Sequence, residues 1–247
     1  MPFDLAPQTY AALAIALVGA AYVRGYSGFG FSAIFIAFAA LLTNPLPLIP
    51  VVFGCEITMT AFQARGIRRH ADWRRVFSML GGAAVVLPLS VWAMLSFDDA
   101  TVRLTVSVIV LVMSLILLTG WTISRQIKTP GNVGVGAISG LCNSAGIGGL
   151  PVAAFMTAQI MPAATFRATM IVYLTGLDLI TMPLLWAGGL ITWETALGLA
   201  LAFPLLGLGL YLGTRRFNAA SPEGFRQFAI LLLLTLAVLG LVRAIQH

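Results

Sequence analysis

The sequence predicts an all-α polytopic membrane protein made of two inverted repeats, each a broken or re-entrant helical hairpin plus three transmembrane helices. Of the 247 residues, 60% are hydrophobic and only 9% are charged, whereas about a quarter of the residues in soluble domains are charged. Apolar runs long enough to cross the hydrocarbon core recur along the chain. A weak, colinear similarity between the two halves predicts the repeat.

The first repeat, residues 1–123, opens with an apolar run that Arg24-Gly25-Tyr26-Ser27-Gly28-Phe29-Gly30 interrupts. The apolar pieces on either side, about 8–23 and 31–42, are each short for a span, but together they are too long for one straight helix across about 30 Å. We therefore expect them to fold back as a hairpin. Asn44-Pro45-Leu46-Pro47 predicts a turn. Three full helices should follow, at about 48–64, 76–95 and 101–123.

A basic linker, residues 124–132, is expected in the cytoplasm and precedes the second repeat, residues 133–247. The second repeat opens with a glycine-rich piece, about 133–141, and a second break, 143–151. A short apolar piece, about 152–160, completes the second hairpin. Three full helices are expected at about 165–186, 195–212 and 224–242.

The internal similarity is carried by a few positions. Gly28-Phe29-Gly30 matches Gly146-Ile147-Gly148, and Trp73 matches Trp193. Similarity of this kind, weak but in the same order in both halves, is typical of duplicated transporters.

Loop charges predict the orientation. Loop 65–75 carries five arginines and should be cytoplasmic, whereas the acidic turn 97–100 should lie outside. With re-entrant hairpins, each repeat crosses the membrane three times, so the repeats are opposed and both termini are periplasmic. We expect a multi-pass protein of the bacterial inner membrane.

The two breaks are predicted to face each other at the membrane midplane and to bind a small anion. Half-helices that end at mid-depth leave backbone N–H groups and dipoles that attract anions, and Arg24 adds a guanidinium suited to oxyanions. The alternative is that the glycines serve helix packing and that Arg24 lies at a membrane interface. The candidate substrate-binding residues are Arg24, Gly25, Tyr26, Ser27, Gly28, Gly30, Asn143, Ser144, Gly146, Gly148 and Gly149.

Glu56 and Asp178 are carboxylates in predicted membrane helices. Either they couple transport to protons, or they pair with Arg24 or Arg167 and serve the structure. Of the two, we favour pairing. Arg167 lies near the start of its helix, as an interfacial residue or as part of a vestibule.

The sequence argues against several other classes of protein. Gly25-Tyr26-Ser27-Gly28 matches the Gly-x-Ser-Gly of intramembrane serine proteases, but the histidines, His70 and His247, lie in the basic loop and at the terminus, so the serine lacks a base. The same shortage of ligands argues against zinc and haem, and we expect no enzyme activity, metal or cofactor.

The net charge of +6 lies mostly in two loops. The orientation of the protein in the membrane explains this distribution without a nucleic-acid partner. The expected partners are the bilayer and a small anion, and a homodimer is left open.

Two motifs also carry a family resemblance. Gly25-Tyr26-Ser27-Gly28-Phe29-Gly30-Phe31 and Gly146-Ile147-Gly148-Gly149-Leu150-Pro151, with the two-repeat layout, resemble the sulfite exporter TauE/SafE family of membrane transporters. Ala33 stands where first repeats of that family often have proline. The resemblance implies a secondary transporter, and an exporter, of small sulfur oxyanions or organosulfonates such as sulfite and sulfoacetate. The alternatives are an anion channel and a proton-coupled uptake permease for a small carboxylate or sulfonate.

Overall fold

The computed structural model describes residues 5–120 and 129–217, together with the single positions Phe3, Ile127, Leu234, Thr235 and Val238. This part of the chain forms nine α-helices, and a short 3₁₀ helix, Leu46–Leu48, precedes the third. The α-helices are α1 (Pro7–Ser27), α2 (Phe31–Leu42), α3 (Ile49–Ile67), α4 (Trp73–Leu95), α5 (Asp99–Leu118), α6 (Thr129–Asn143), α7 (Gly149–Thr157), α8 (Ala163–Ala187) and α9 (Trp193–Phe217). The all-α prediction is confirmed. The last predicted helix, about 224–242, falls on a segment of which only three positions are described.

Five of the described helices, α3, α4, α5, α8 and α9, are long and apolar enough to cross a membrane. The outward faces are apolar as well: on α4, the Val85 and Trp92 side chains are 80% and 67% exposed. Trp186 and Trp193 lie exposed on either side of the turn between α8 and α9, where aromatic side chains suit a membrane–water interface. The chain is therefore a multi-pass membrane protein.

The first hairpin is formed by α1 and α2, which pack against each other. Helix α1 has 21 residues, a length of about 31 Å, and continues four residues beyond the predicted end at residue 23. The prediction of a short first arm was therefore wrong, because Arg24–Ser27 stay helical. The break is confined to Gly28-Phe29-Gly30, where both glycines have positive φ, 83° and 90°. The Gly28 N–H bonds to the Arg24 carbonyl oxygen at 2.8 Å, which closes the helix with a left-handed glycine.

The second hairpin is formed by α6 and α7, of 15 and 9 residues. The break between them covers 144–148 and is narrower than the predicted 143–151. Asn143 ends α6, and Pro151 falls in the first turn of α7, where a proline removes no helical hydrogen bond. Gly146 has a positive φ of 75°, while Gly148 has a right-handed φ of −59°.

Glycines allow the two hairpins to pack closely against the long helices. Helix α1 packs mainly on α9, and α6 packs mainly on α4. A Cβ atom at Gly213 would collide with the Tyr22 carbonyl oxygen, and one at Gly136 would collide with the Met79 carbonyl oxygen. Helices α3 and α8 pack on each other between these pairs, and α3 also packs on α9 and α8 on α4.

This packing has a regular pattern. Exchange of α1 with α6, α3 with α8 and α4 with α9 converts the contact of α1 with α9 into that of α6 with α4, converts the contact of α3 with α9 into that of α8 with α4, and leaves the contact of α3 with α8 unchanged. A duplicated unit would produce such a pattern, so the packing agrees with an internal repeat. The inverted repeat and its boundaries, 1–123 and 133–247, stay a prediction.

Candidate functional site

Arg24 lies in the last turn of α1, and its side chain is completely buried, with 0% exposure. Its Nη1 donates to Glu56 Oε1 on α3 at 2.9 Å, and its Nη2 donates to Thr60 Oγ1 at 2.9 Å. Among the residues that the structure describes, none accepts a hydrogen bond from Arg24 Nε. The guanidinium is thus paired with a carboxylate inside the protein, which is one of the two roles that the sequence left open for the membrane carboxylates.

Asp178 extends this group of side chains from α8. The Asp178 and Glu56 side chains are each 1% exposed, and the two carboxyls lie within hydrogen-bond reach of each other. Thr175, about one turn earlier on α8, places its Oγ1 2.7 Å from Thr60 Oγ1. Arg24, Glu56, Thr60, Thr175 and Asp178 therefore form one polar group, here called the central cluster, which joins α1, α3 and α8. Its three charged members are buried, and its two threonines are partly buried.

The first break is held by its own hydrogen bonds and by α8. Ser27 Oγ lies 2.8 Å from both the Val23 and the Phe29 carbonyl oxygens. Gly28 packs against Arg167: a Cβ atom there would lie 2.7 Å from Arg167 Cγ and 3.1 Å from the Arg167 carbonyl oxygen. The Arg167 residue therefore packs directly against the first break.

Gly25 and Tyr26 lie in the helix before the break and are buried. A Cβ atom at Gly25 would lie 2.8 Å from the Leu210 carbonyl oxygen, so this glycine serves the contact between α1 and α9. This is the packing role that the sequence offered as the alternative to anion binding.

The donors of the second break bond within the protein. Asn143 Nδ2 donates to Thr181 Oγ1 at 2.9 Å, and Ser144 Oγ donates to the Leu141 carbonyl oxygen at 3.0 Å. Ser139 Oγ donates to the Gly148 carbonyl oxygen at 2.6 Å. Gly149 is buried and packs against Leu174 of α8, and Gly146 packs against Ile36 and Ile49.

A cavity of about 620 Å³ lies between α3, α8 and α9, at the ends near loop 65–75. Its polar lining includes Gln63, His70, Arg167 and Thr214. Its apolar lining is Phe62, Ile67, Ala164, Ala168, Gly207, Leu210 and Tyr211. Both polar atoms of the Gln63 amide are buried, and none of the described protein groups bonds to them. A cavity whose lining includes a guanidinium can accept an anion.

Arg167 connects this cavity to the first break. Its Nη2 donates to the Gly25 carbonyl oxygen near the end of α1 at 2.7 Å. Arg167 is half-buried and lies close enough to Arg24 for the two guanidinium charges to interact. Arg24 is paired with Glu56, and Arg167 places a second guanidinium in the lining of the cavity.

Sequence reasoning missed the contributions of Thr60, Gln63 and Thr175. The sequence does contain a pattern that indicates two of them. On α3, Glu56, Thr60 and Gln63 follow each other at spacings of four and three residues, so they share one helix face. Thr175 and Asp178 have the same relation on α8. A search for polar residues at helical spacing around each membrane carboxylate would have found all three.

Comparison with known proteins gives one match. The model of the family described as "Sulfite exporter TauE/SafE" matches residues 12–240. The chain belongs to this family. No curated protein and no solved structure matches the chain significantly. Members of the TauE/SafE family are membrane transporters rather than enzymes, and the five apolar helices of this member agree with that role.

Proposed function

We propose that this TauE/SafE family member is a secondary transporter that exports a small sulfur oxyanion or organosulfonate across the bacterial inner membrane. The observation that carries the proposal is the cavity of about 620 Å³ whose lining includes Arg167 and Gln63. On the predicted orientation, with loop 65–75 in the cytoplasm, this cavity opens to the cytoplasm. It would be the site at which an anion enters.

The lining suits the proposed substrate class. A guanidinium binds an oxyanion through two parallel N–H donors, and the buried Gln63 amide supplies a neutral donor that is otherwise unused. Phe62, Leu210 and Tyr211 offer an apolar wall for the carbon part of an organosulfonate. A buried amide without a partner is costly, which is a reason to expect that a ligand or water bonds to it.

This proposal moves the main charge of the site from Arg24 to Arg167. Arg24 is paired and completely buried, whereas Arg167 lines the cavity and rests on Gly28. The first break keeps a role, because it holds Arg167 in place. The second break, with Asn143 and Gly149 on either side of it, is proposed as the later part of the anion path.

Export fits the membrane potential. An anion that leaves an inside-negative cell gains about 2.3 kcal/mol per charge per 100 mV. A carrier needs no other energy source to export such an anion, whereas uptake would need a coupling ion.

The test is anion binding and counterflow with purified protein. A thermal-shift panel of sulfite, sulfate, thiosulfate, sulfoacetate and carboxylates selects the anion, and counterflow of that anion is then measured in liposomes. We expect Arg167→Gln to weaken binding by about tenfold or more, which corresponds to about 1.4 kcal/mol, because a charged hydrogen-bond donor is lost. Gln63→Leu should also weaken binding, by a smaller factor.

The matched control is Arg103→Gln on α5, because the Arg103 guanidinium donates to the Asp99 carbonyl of its own helix. Its binding should stay within about twofold of wild type. If no anion stabilises the wild type, or if Arg167→Gln binds as tightly as wild type, the proposed site is wrong. Saturable counterflow supports a carrier, and unitary currents in a planar bilayer would replace the carrier with a channel.

A further inference from the structure

The central cluster contains more acidic groups than basic groups. One guanidinium, that of Arg24, meets two carboxyls, those of Glu56 and Asp178, and all three side chains are at most 1% exposed. Arg24 bonds to Glu56 at 2.9 Å, so the first carboxylate is compensated. The second carboxyl has no cation of its own within the cluster.

The two carboxyls also differ in their hydrogen bonds, because Glu56 accepts one from Arg24. Asp178 Oδ2 is buried, and no donor from the described residues reaches it, although the Asp178 carboxyl lies against that of Glu56. Two ionised carboxylates in contact repel each other, and neither can donate to the other. An unpaired charge at this depth is expensive. One proton on the pair would remove the excess charge and supply the missing donor.

Groups on the neighbouring elements do not balance the second carboxyl. Cys55 lies close to Glu56, and Tyr173 and Cys142 lie near the Asp178 side of the cluster, but these groups are neutral near pH 7 when buried. Helices α2 and α7 carry no charged residue, and the charged residues of α4 and α9 lie near the helix ends. Arg167 is a further cation near Arg24, and its guanidinium bonds to the Gly25 carbonyl.

A polar track leads from the carboxyl pair to the cavity. Thr60 and Thr175 place their hydroxyls 2.7 Å apart beside Arg24, and Gln63 lies about one turn further along α3 and lines the cavity. Glu56, Thr60 and Gln63 lie on the same face of α3. A proton released from a carboxyl oxygen can therefore reach water in the cavity through a short, polar stretch, and a carboxylate remains behind.

We propose that Glu56 and Asp178 together form a proton-binding site, and that exchange of its one proton is coupled to anion transport. The coupling rests on the proposed function above, whereas the proton site itself does not. Arg24 is then the positioning residue that keeps one carboxylate ionised and leaves the other to take the proton.

The first test observes the proton directly. Purified protein at pH 7 should show the infrared C=O band of a protonated, buried carboxyl. Both Asp178→Asn and Glu56→Gln should abolish this band, because one guanidinium and one carboxylate then balance without a proton. Asp98→Asn is the matched control, since Asp98 caps α5 from an exposed position, and it should keep the band. Absence of the band in the wild type would overturn the proposal whether or not the variants fold.

The second test observes the coupling. Proteoliposomes with a trapped pH dye and a clamped membrane potential receive a sulfoacetate gradient, because neither acid group of sulfoacetate titrates near neutral pH. We expect wild type and Asp98→Asn to move protons together with sulfoacetate, and the protons moved per sulfoacetate to fall by about tenfold or more in Asp178→Asn. Sulfoacetate transport without proton movement in the wild type contradicts the coupling and leaves the exporter intact. A lack of any anion transport contradicts the proposed function, and the infrared band still decides the proton site.

Discussion

At the scale of single residues, Arg24 decides how the membrane carboxylates can be arranged. The sequence identified Arg24, Glu56 and Asp178 as the charged residues to explain, and the ion pair between Arg24 and Glu56 was one of its two interpretations. The choice of partner was not readable from the sequence. It depends on how far α1 extends past residue 23 and on which side chains α3 and α8 turn towards it.

We predict that Arg24→Ala destabilises the protein by about 3–5 kcal/mol, because it leaves two buried carboxyls without a cation. The measurement is thermal or denaturant unfolding of the purified protein in detergent. The double variant Arg24→Ala/Glu56→Gln should lose less than the sum of the two single variants, since both partners of the pair are gone. Arg103→Ala should be close to wild type. Strictly additive effects would mean that Arg24 and Glu56 do not compensate each other.

The residues of the cavity show the limit of reading single positions. Arg167 was predicted as either an interfacial or a vestibule residue, and the structure places it in the lining of a cavity. Gln63 and His70 also line that cavity, but one lies in a membrane helix and the other in a basic loop. Only the packing of α3 against α8 and α9 brings them together.

At the scale of helices, glycine has two different roles in this chain. Gly28, Gly30 and Gly146 take positive φ in the two breaks between helices, whereas Gly136 and Gly213 lie within helices and allow close contact. The sequence predicted both hairpins, with the α2 boundaries as observed. It misplaced the end of α1, since nothing in the sequence tells a helical glycine such as Gly25 from one that breaks a helix.

We predict opposite effects of two alanine substitutions on α6. Gly136→Ala should destabilise by about 1–3 kcal/mol, because its Cβ would collide with the Met79 carbonyl oxygen on α4. Gly134→Ala, on the same helix but facing open space, should be neutral or stabilising by up to about 1 kcal/mol, since alanine favours helix. Apparent melting temperatures of the purified variants measure the difference. Equal shifts would contradict the close packing of α4 on α6.

At the scale of the whole molecule, two features of the chain agree with the predicted topology. The contacts between the long helices and the hairpins interchange when α1, α3 and α4 are exchanged with α6, α8 and α9. The basic loop 65–75 and the acidic turn 97–100 lie at opposite ends of α4. Composition and hydropathy were sufficient for the membrane class, because the bilayer imposes them on every span. Composition and hydropathy carry no information about which membrane-spanning helices contact each other. The cavity forms between three such helices, so it could not be predicted from them.

We predict that a cysteine at position 70 reacts with a membrane-impermeant thiol reagent from the cytoplasmic side only, and that a cysteine at position 97 reacts from the periplasmic side only. The reason is the charge of the two loops. The background is favourable, because the two native cysteines, Cys55 and Cys142, are both buried. Labelling of intact cells and of inverted vesicles measures the sidedness. The reverse pattern would invert the molecule and place the cavity on the outside.

The last turn of α1 gives two neighbouring residues to two different sites. The Arg24 side chain enters the central cluster, and the next carbonyl, that of Gly25, accepts the hydrogen bond from Arg167. On the two proposals above, an anion that competes with this carbonyl for the Arg167 guanidinium would act on the peptide unit beside Arg24, and so on the charges around the proposed proton. Thermodynamic linkage makes such an effect reciprocal. By whatever factor the anion changes the affinity for the proton, the proton changes the affinity for the anion, and a single turn of helix carries both effects.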